Sequence, residues 1–298
     1  MTQSMSHILS NLRCPDCLGN ALVADAEVRD SNGMRGRFTC GDCGRELRVE
    51  NGILDALPHG LGQDVRANLD LYDAMAAEEA SVLAARARTR NHRNKMDMIR
   101  RALGIDEGAD AATIIEFGVG YGAHGAELVE AGHTYCGLDI SPGLLRAAKQ
   151  RFPILAPTVF LAADATRAPC RDKTFDRVFC VAMLHHLATP ERGLREMVRV
   201  LTPGGRFAIL EPRRFYPTTL LQWARHRETE VSVMKVHAAA VARWLEQSGV
   251  RGFETAYCVF TPNGPRFLTG FFDAVDSLFE RASILRCFSV MFCVYGEK

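Results

Sequence analysis

The stretch that most constrains this chain runs from Thr113 to Gly125 and reads T-I-I-E-F-G-V-G-Y-G-A-H-G. Thr113, Ile114 and Ile115 suit a buried strand, because β-branched side chains pack well on a pleated surface. Glu116 closes that run. Glycines then fall on alternate positions, Gly118, Gly120 and Gly122, before a helical run from Ala123 to Ala131. Glycine at this spacing permits a sharp turn from strand into helix and lets backbone amides approach a ligand closely. A chain organised on such a turn is α/β, with its ligand crevice at the strand tips.

Two ligand classes fit the glycines. Gly120 to Gly125 satisfies G-x-G-x-x-G, and Asp139 lies near the distance expected for an acid on a dinucleotide ribose. Glu116 weighs against that class, since a carboxylate at the strand tip would face a pyrophosphate with like charge. It would instead attract the ammonium and sulfonium of S-adenosylmethionine (SAM). The stretch resembles the first motif of the class I SAM-dependent methyltransferases, an acid followed by G-x-G-x-G. Four further matches follow in order: Gly137 to Ser141, Ala163-Asp164-Ala165, Phe175 to Val178, and Leu201-Thr202-Pro203-Gly204-Gly205. The resemblance implies a seven-stranded Rossmann-like sheet with helices on both faces. It implies SAM held by Glu116, Gly118, Gly120, Gly122, Asp139, Ile140, Asp164, Ala165 and Met183. Asp139 would accept both ribose hydroxyls, Asp164 would read the adenine, and Ala165 would offer a backbone amide. A nicotinamide site and a purely structural glycine loop are the competing readings.

Near the N-terminus, Cys14-Pro15-Asp16-Cys17 and Cys40-Gly41-Asp42-Cys43 are separated by 22 residues. That slightly exceeds the usual four-cysteine zinc spacing but keeps its form. Gly19 and Gly44 follow the pairs and can take a knuckle's strained backbone. Strands are expected over Ala21–Val28, Arg35–Thr39 and Glu46–Val49, the first two joined by the turn Asp30-Ser31-Asn32-Gly33. So small a unit would need its metal to fold. It resembles a zinc ribbon, with Cys14, Cys17, Cys40 and Cys43 as ligands of a structural Zn²⁺. Two disulfides or a redox C-x-x-C are the alternatives. Residues 1–60 hold six arginines against eight acids, a poor surface for phosphates.

The remaining organisation follows. The chain divides into a ribbon over 1–60, a helical cap over 61–110, and a methyltransferase domain over 111–298 with lid insertions near 213–235 and 264–288. Seven basic residues between Arg86 and Arg101 read as the solvated face of a helix whose apolar side (Met96, Ile99, Leu103) covers the sheet. Tyr72, His92 and Asn94 are candidate pocket residues. After the fourth strand come His185 and His186, candidates for a general base because histidine titrates near neutrality. Adjacent residues rarely converge on one ion, so a metal is not expected there. Glu211, Tyr216, Trp223 and Phe271 are candidate substrate contacts. In the second insertion, Phe267, Leu268, Phe271, Phe272, Val275, Leu278, Phe279 and Ala282 share one helical face, opposite Asp273, Asp276 and Glu280. That face would turn toward the core, a homodimer partner, an apolar substrate or a membrane surface, although acids on the polar side argue against the last.

With 298 residues, 47% hydrophobic and 24% charged, the chain has the balance of a soluble globular protein. Its net charge of +1 gives nucleic acid no electrostatic hold. No secretory segment or spanning run is legible, so a cytoplasmic protein with reduced thiols is expected. The function implied is methyl transfer from SAM to a small, largely apolar acceptor, resembling the ubiquinone/menaquinone enzymes. The alternative is an RNA base methyltransferase, since one rRNA guanine methyltransferase family also joins a zinc module to this domain. A non-catalytic methyltransferase-like scaffold is the third reading.

Overall fold

The computed structural model describes residues 3–30, 33–77, 89–106, 108–225, 230, 232–258, 269–281 and 289–298. Helix α1 (Gln3–Ser10) precedes strands β1 (Leu22–Asp30), β2 (Gly33–Cys40), β3 (Glu46–Glu50) and β4 (Ile53–Asp55). Helices α2 (Gln63–Ala77) and α3 (Arg90–Leu103) follow. The glycine turn then joins β5 (Thr113–Phe117) to α4 (Ala123–Glu130), and β6 (Thr134–Asp139), α5 (Pro142–Arg151) and β7 (Val159–Ala162) complete the first half. The second half comprises β8 (Phe175–Val181), α6 (Pro190–Val200), β9 (Leu201–Pro212), α7 (Pro217–Arg225), α8 (Ala238–Gln247), β10 (Phe253–Cys258), α9 (Thr269–Arg281) and β11 (Met291–Glu297).

All eleven strands form one sheet, ordered β1-β2-β3-β4-β7-β6-β5-β8-β9-β11-β10. Its last seven positions are the anticipated sheet. Strands β7, β6, β5, β8 and β9 pair in parallel, and β11 runs antiparallel between β9 and β10. The four N-terminal strands are continuous with it rather than set apart. β4 pairs in parallel with β7, Ile53 to Phe160 and Asp55 to Ala162. Backbone bonds from Phe160 to Gly52 O (2.9 Å) and from Ala56 to Ala162 O (2.9 Å) extend that ladder. Ile8, Leu12, Leu47, Val49 and Leu54 are buried in the same core as Phe117, Leu161 and Phe175. The reason is local: β7 would otherwise be an exposed edge of unpaired amides, and the apolar run Ile53-Leu54 caps it.

Strand alternation divides the rest. Ile115 and Phe117 face the core shared with α1, whereas Ile114 faces Met96, Ile99 and Leu103 of α3. Helix α3 starts at Thr89, whose side chain accepts from His92 N–H, and stops at Gly104 in the left-handed conformation (φ +62°). Two arginines of α3 are paired with carboxylates inside the protein, while Arg93 and Arg101 are exposed. Arg90 reaches Asp273 at 2.6 Å and also Asp276, while Arg100 lies 2.8 Å from Glu127. Arg86 and Arg88 fall outside the described residues, as do Phe267, Leu268 and Ala282.

Those ion pairs set the rotation of α9, leaving Phe272, Val275 and Phe279 half-buried. Asp276 is buried against Arg90 and Asn94, and Phe271 and Leu278 are exposed. A guanidinium already buried on α3 needs carboxylate partners more than the phenyl rings need cover, which fixes the rotation. Among the described residues no helix is long and apolar enough to cross a membrane.

Candidate active site and zinc centre

A cavity of about 380 Å³ opens at the carboxyl ends of β5, β6 and β8, within the range of small-molecule sites. Gly118 and Gly120 both take positive φ, +81° and +52°. A side chain at Gly118 would place its Cβ 2.6 Å from Met183 Cγ, whereas a Cβ on Gly120 would meet nothing within 4 Å. The loop thus presents bare backbone to the cavity. Asp139, at the tip of β6, accepts the Gly120 N–H at Oδ2 (2.9 Å) and the Ser141 N–H at Oδ1 (3.0 Å). Burial pushes its carboxyl up to about 6, against the pull of those amides. Asp164 accepts the Thr166 N–H and hydroxyl at Oδ1, both at 2.8 Å, and also lines the cavity. Ile140, Ala165 and Met183 complete this set.

The structure separates the other anticipated contacts from the cavity. Glu116 shares its strand face with Ile114, so its carboxylate points beneath α4. There it accepts from Tyr135 Oη (2.5 Å) and lies 2.8 Å from His124 Nδ1, fully buried and outside the cavity lining. Gly122 begins α4 at φ +77°, where a Cβ would meet Ala148 Cβ at 2.7 Å, so it serves helix packing. Glu211 is fully buried, and its Oε1 accepts from Met183 N–H (3.0 Å) and Leu184 N–H (2.7 Å). Tyr216, Trp223 and the exposed Phe271 do not line the cavity either. Of the cap candidates, His92 pairs with Glu127 (2.6 Å) and Asn94 with Asp276 (2.7 Å), while Tyr72 reaches the cavity.

Tyr72 arrives there on α2 together with Val65 and Asn68, the last two unread from sequence. The helix is anchored by Asp73, which accepts from the Gly143 N–H (2.8 Å) and the Ser141 hydroxyl at the start of α5. Leu187 also lines the cavity, as do Thr189 and Arg192, which no sequence motif marks.

The two histidines occupy different surroundings. His185 is buried, with Nδ1 2.6 Å from Glu211 Oε2 and Nε2 3.3 Å from Glu230 Oε2. Burial opposes its charge, but Glu211 and Glu230 outweigh that and hold its pKa above the ordinary value. His186 faces the cavity and its Nε2 lies 3.0 Å from Tyr72 Oη.

At the N-terminal module the four cysteine sulfurs converge, all within 4.8 Å of one another. Cys14 and Cys43 Sγ are 3.7 Å apart, and Cys17 and Cys40 Sγ 3.6 Å. A tetrahedral zinc with about 2.3 Å bonds to sulfur sets these edges at about 3.8 Å, so the donor set fits the metal and is far from disulfide bonding. The left-handed residue of the first knuckle is Leu18 (φ +62°) rather than Gly19, matching Gly44 (φ +74°) in the second. Gly19 is small for another reason: a Cβ there would lie 2.0 Å from Asp42 Oδ2. The knuckle also touches the turn after Asp164, since Arg167 Nη2 donates to Asp16 O at 2.8 Å.

This sheet order, with the glycine turn and acids at two strand tips, defines the class I methyltransferase fold. Residues 115–209 match the family model described as a methyltransferase domain. Over those residues, about a third of its length, the chain is similar to that methyltransferase domain family. Among curated relatives, demethylmenaquinone methyltransferase of Beutenbergia cavernae is 37% identical over 98 residues, 33% of this chain and 40% of that protein. The enzyme of that name from Streptomyces griseus is 36% identical over 101 residues, 34% of this chain and 43% of its own length. The chain therefore spans well under half the length of either relative. A structure from Haloferax volcanii solved as a complex with the Trm112 methyltransferase activator is similar in fold, with a TM-score of 0.55, 20% identity, and coverage of 76% of this chain and 96% of that one. The N-methyltransferase NodS of Bradyrhizobium japonicum, solved with S-adenosyl-L-homocysteine, gives a TM-score of 0.51 at 16% identity, covering 79% of this chain and 99% of its own.

Proposed function

We propose that the protein transfers a methyl group from SAM to a small, largely apolar acceptor, with the ribbon cysteines holding a structural zinc. The observation that carries this reading is one cavity into which Gly118, Gly120, Asp139, Asp164 and Met183 all converge. When bound, SAM supplies an electrophilic methyl on a sulfonium that departs as a neutral thioether. The chain's own task is then alignment and exclusion of water. Asp139, with a lone pair free on each oxygen beyond its amide bonds, accepts the ribose hydroxyls. Asp164 Oδ2, not used by Thr166, receives the adenine amine. Met183 packs on Gly118 and sets the depth to which the cofactor enters. Val65, Val181 and Leu187 form apolar walls beyond it, and α2 closes the top.

The curated relatives' name supports a lipophilic quinone-type acceptor. The RNA reading loses support from α3, whose Arg90 and Arg100 are bound to carboxylates rather than arrayed for phosphates. Methyl-labelled SAM offered with a panel of lipophilic phenols and quinols, and separately with bulk RNA, tests the assignment. We expect turnover on the apolar panel with little salt dependence, lowered at least tenfold by Leu187→Asp or Val65→Asp while SAM affinity stays within about threefold. Methylation of RNA, steeply lost with salt, would replace this acceptor class with the alternative.

A further inference from the structure

Beyond the cofactor set, a second group of side chains converges beside the cavity, which one of them, His186, lines. His185, His186 and Glu230 each bring one ligand atom within 4.8 Å of the others. Neighbouring histidines do not usually meet in this way. Here the turn Leu184–His186 is pinned from two sides. Glu211 accepts the Leu184 N–H, and the His185 carbonyl accepts the Ser232 N–H at 2.9 Å. The two rings stand 4.0 Å apart between centroids.

We infer that His185, His186 and Glu230 form a binding site for one divalent transition-metal ion, distinct from the ribbon zinc. His185 is prepared for this role. Its Nδ1 is occupied by Glu211, which is fixed by two backbone amides, so Nε2 alone is presented toward Glu230. A carboxylate behind a ligating imidazole is the usual outer partner, fixing the tautomer and raising the ring's basicity. Two imidazoles and one carboxylate suit Zn²⁺, Co²⁺ or Mn²⁺ and leave coordination positions open. His186 lines the cavity, with Tyr72 Oη 3.0 Å from its Nε2, so the open side faces the space left for the acceptor. An oxygen donor of the acceptor, a phenolic or quinol hydroxyl, fits such a position by charge and hardness. That use rests on the function proposed above, whereas the ion site rests on the ligand set alone. The rival arrangement is a proton shared between His185 and Glu230.

The test uses the full chain with its ribbon zinc in place, equilibrated with Co²⁺ and then desalted. The expected result is a second metal equivalent by mass spectrometry. It should show visible d–d bands without the near-ultraviolet charge transfer that cobalt thiolates give. His186→Gln and Glu230→Gln should each weaken that equivalent at least tenfold while keeping ribbon zinc and the far-ultraviolet circular dichroism of the wild type. A wild-type protein that holds ribbon zinc alone at saturating Co²⁺ overturns the proposal, as does a second ion indifferent to both variants. SAM titrations on the same samples separate the two readings. SAM bound without a second ion sinks the metal site only, and a second ion without SAM binding leaves the site standing and removes its use.

Discussion

Asp139 is an acid whose surroundings resist its charge until a ligand arrives. Its folded pKa is raised to about 6 by burial, above the ordinary aspartate value. In the proposed complex ribose hydroxyls donate to the ionised form, so SAM and the proton compete for it. SAM affinity should therefore be level above pH 6 and fall as pH drops below it, measurable by calorimetry across pH 5 to 8. The linked effect on the ligand-free protein has the opposite sense. A raised acid pKa costs stability above 6, and that cost is relieved as pH falls toward the unfolded value. Gly118→Ala tests the loop in a different way. Its Cβ would press on Met183 Cγ from a φ of +81°, so both strain and contact oppose it. SAM affinity should drop at least tenfold, about 1.4 kcal/mol, with the far-ultraviolet spectrum unchanged. At this scale the sequence was informative where position alone brings a side chain to the cavity, as for Asp139 and Asp164 at strand tips. It misled at Glu116. Strand parity puts that residue on the face of Ile114, but nothing in the local sequence announced that His124 and Tyr135 wait there to take its carboxylate.

Among the elements, α9 shows how ion pairs set the rotation of an amphipathic helix. Its phenylalanines share one face and invite burial, yet Arg90, Asp273 and Asp276 decide the rotation. Removing one partner strands the other in a buried place. Arg90→Met should cost about 3–5 kcal/mol or release α9 from α3, read as a lowered melting temperature and faster amide exchange in 269–281. Arg90→Met with Asp276→Leu should recover much of that loss. The partners stand 186 residues apart, which is why no periodicity within 269–281 could predict their meeting. Helix α2 presents the complementary case. Its helical character is legible, but its contribution of Val65, Asn68 and Tyr72 to the cavity follows from Asp73 gripping the start of α5, a contact between distant segments.

Over the whole molecule, the ribbon and the methyltransferase domain behave as one sheet. The seven strands from β7 to β10 were readable because the glycine turn and the four motifs after it come in the order such a sheet requires. The join was not, because Ile53 and Leu54 look like any short apolar run until β7 offers an open edge. A consequence is testable by removing the proposed zinc. Chelation should lower the melting temperature of the entire chain in a single transition, and should weaken SAM binding through the contact of Arg167 with the Asp16 carbonyl. Two separate transitions would show an autonomous ribbon. The central claim is SAM in the cavity between Gly120, Asp139 and Asp164, and calorimetric titration of the zinc-loaded protein with SAM tests it most directly. We predict one equivalent bound, weakened by about 1–3 kcal/mol in Asp139→Ala through the loss of hydroxyl acceptors. SAM affinity unchanged in Asp139→Ala, or binding of NADH in place of SAM, would contradict it.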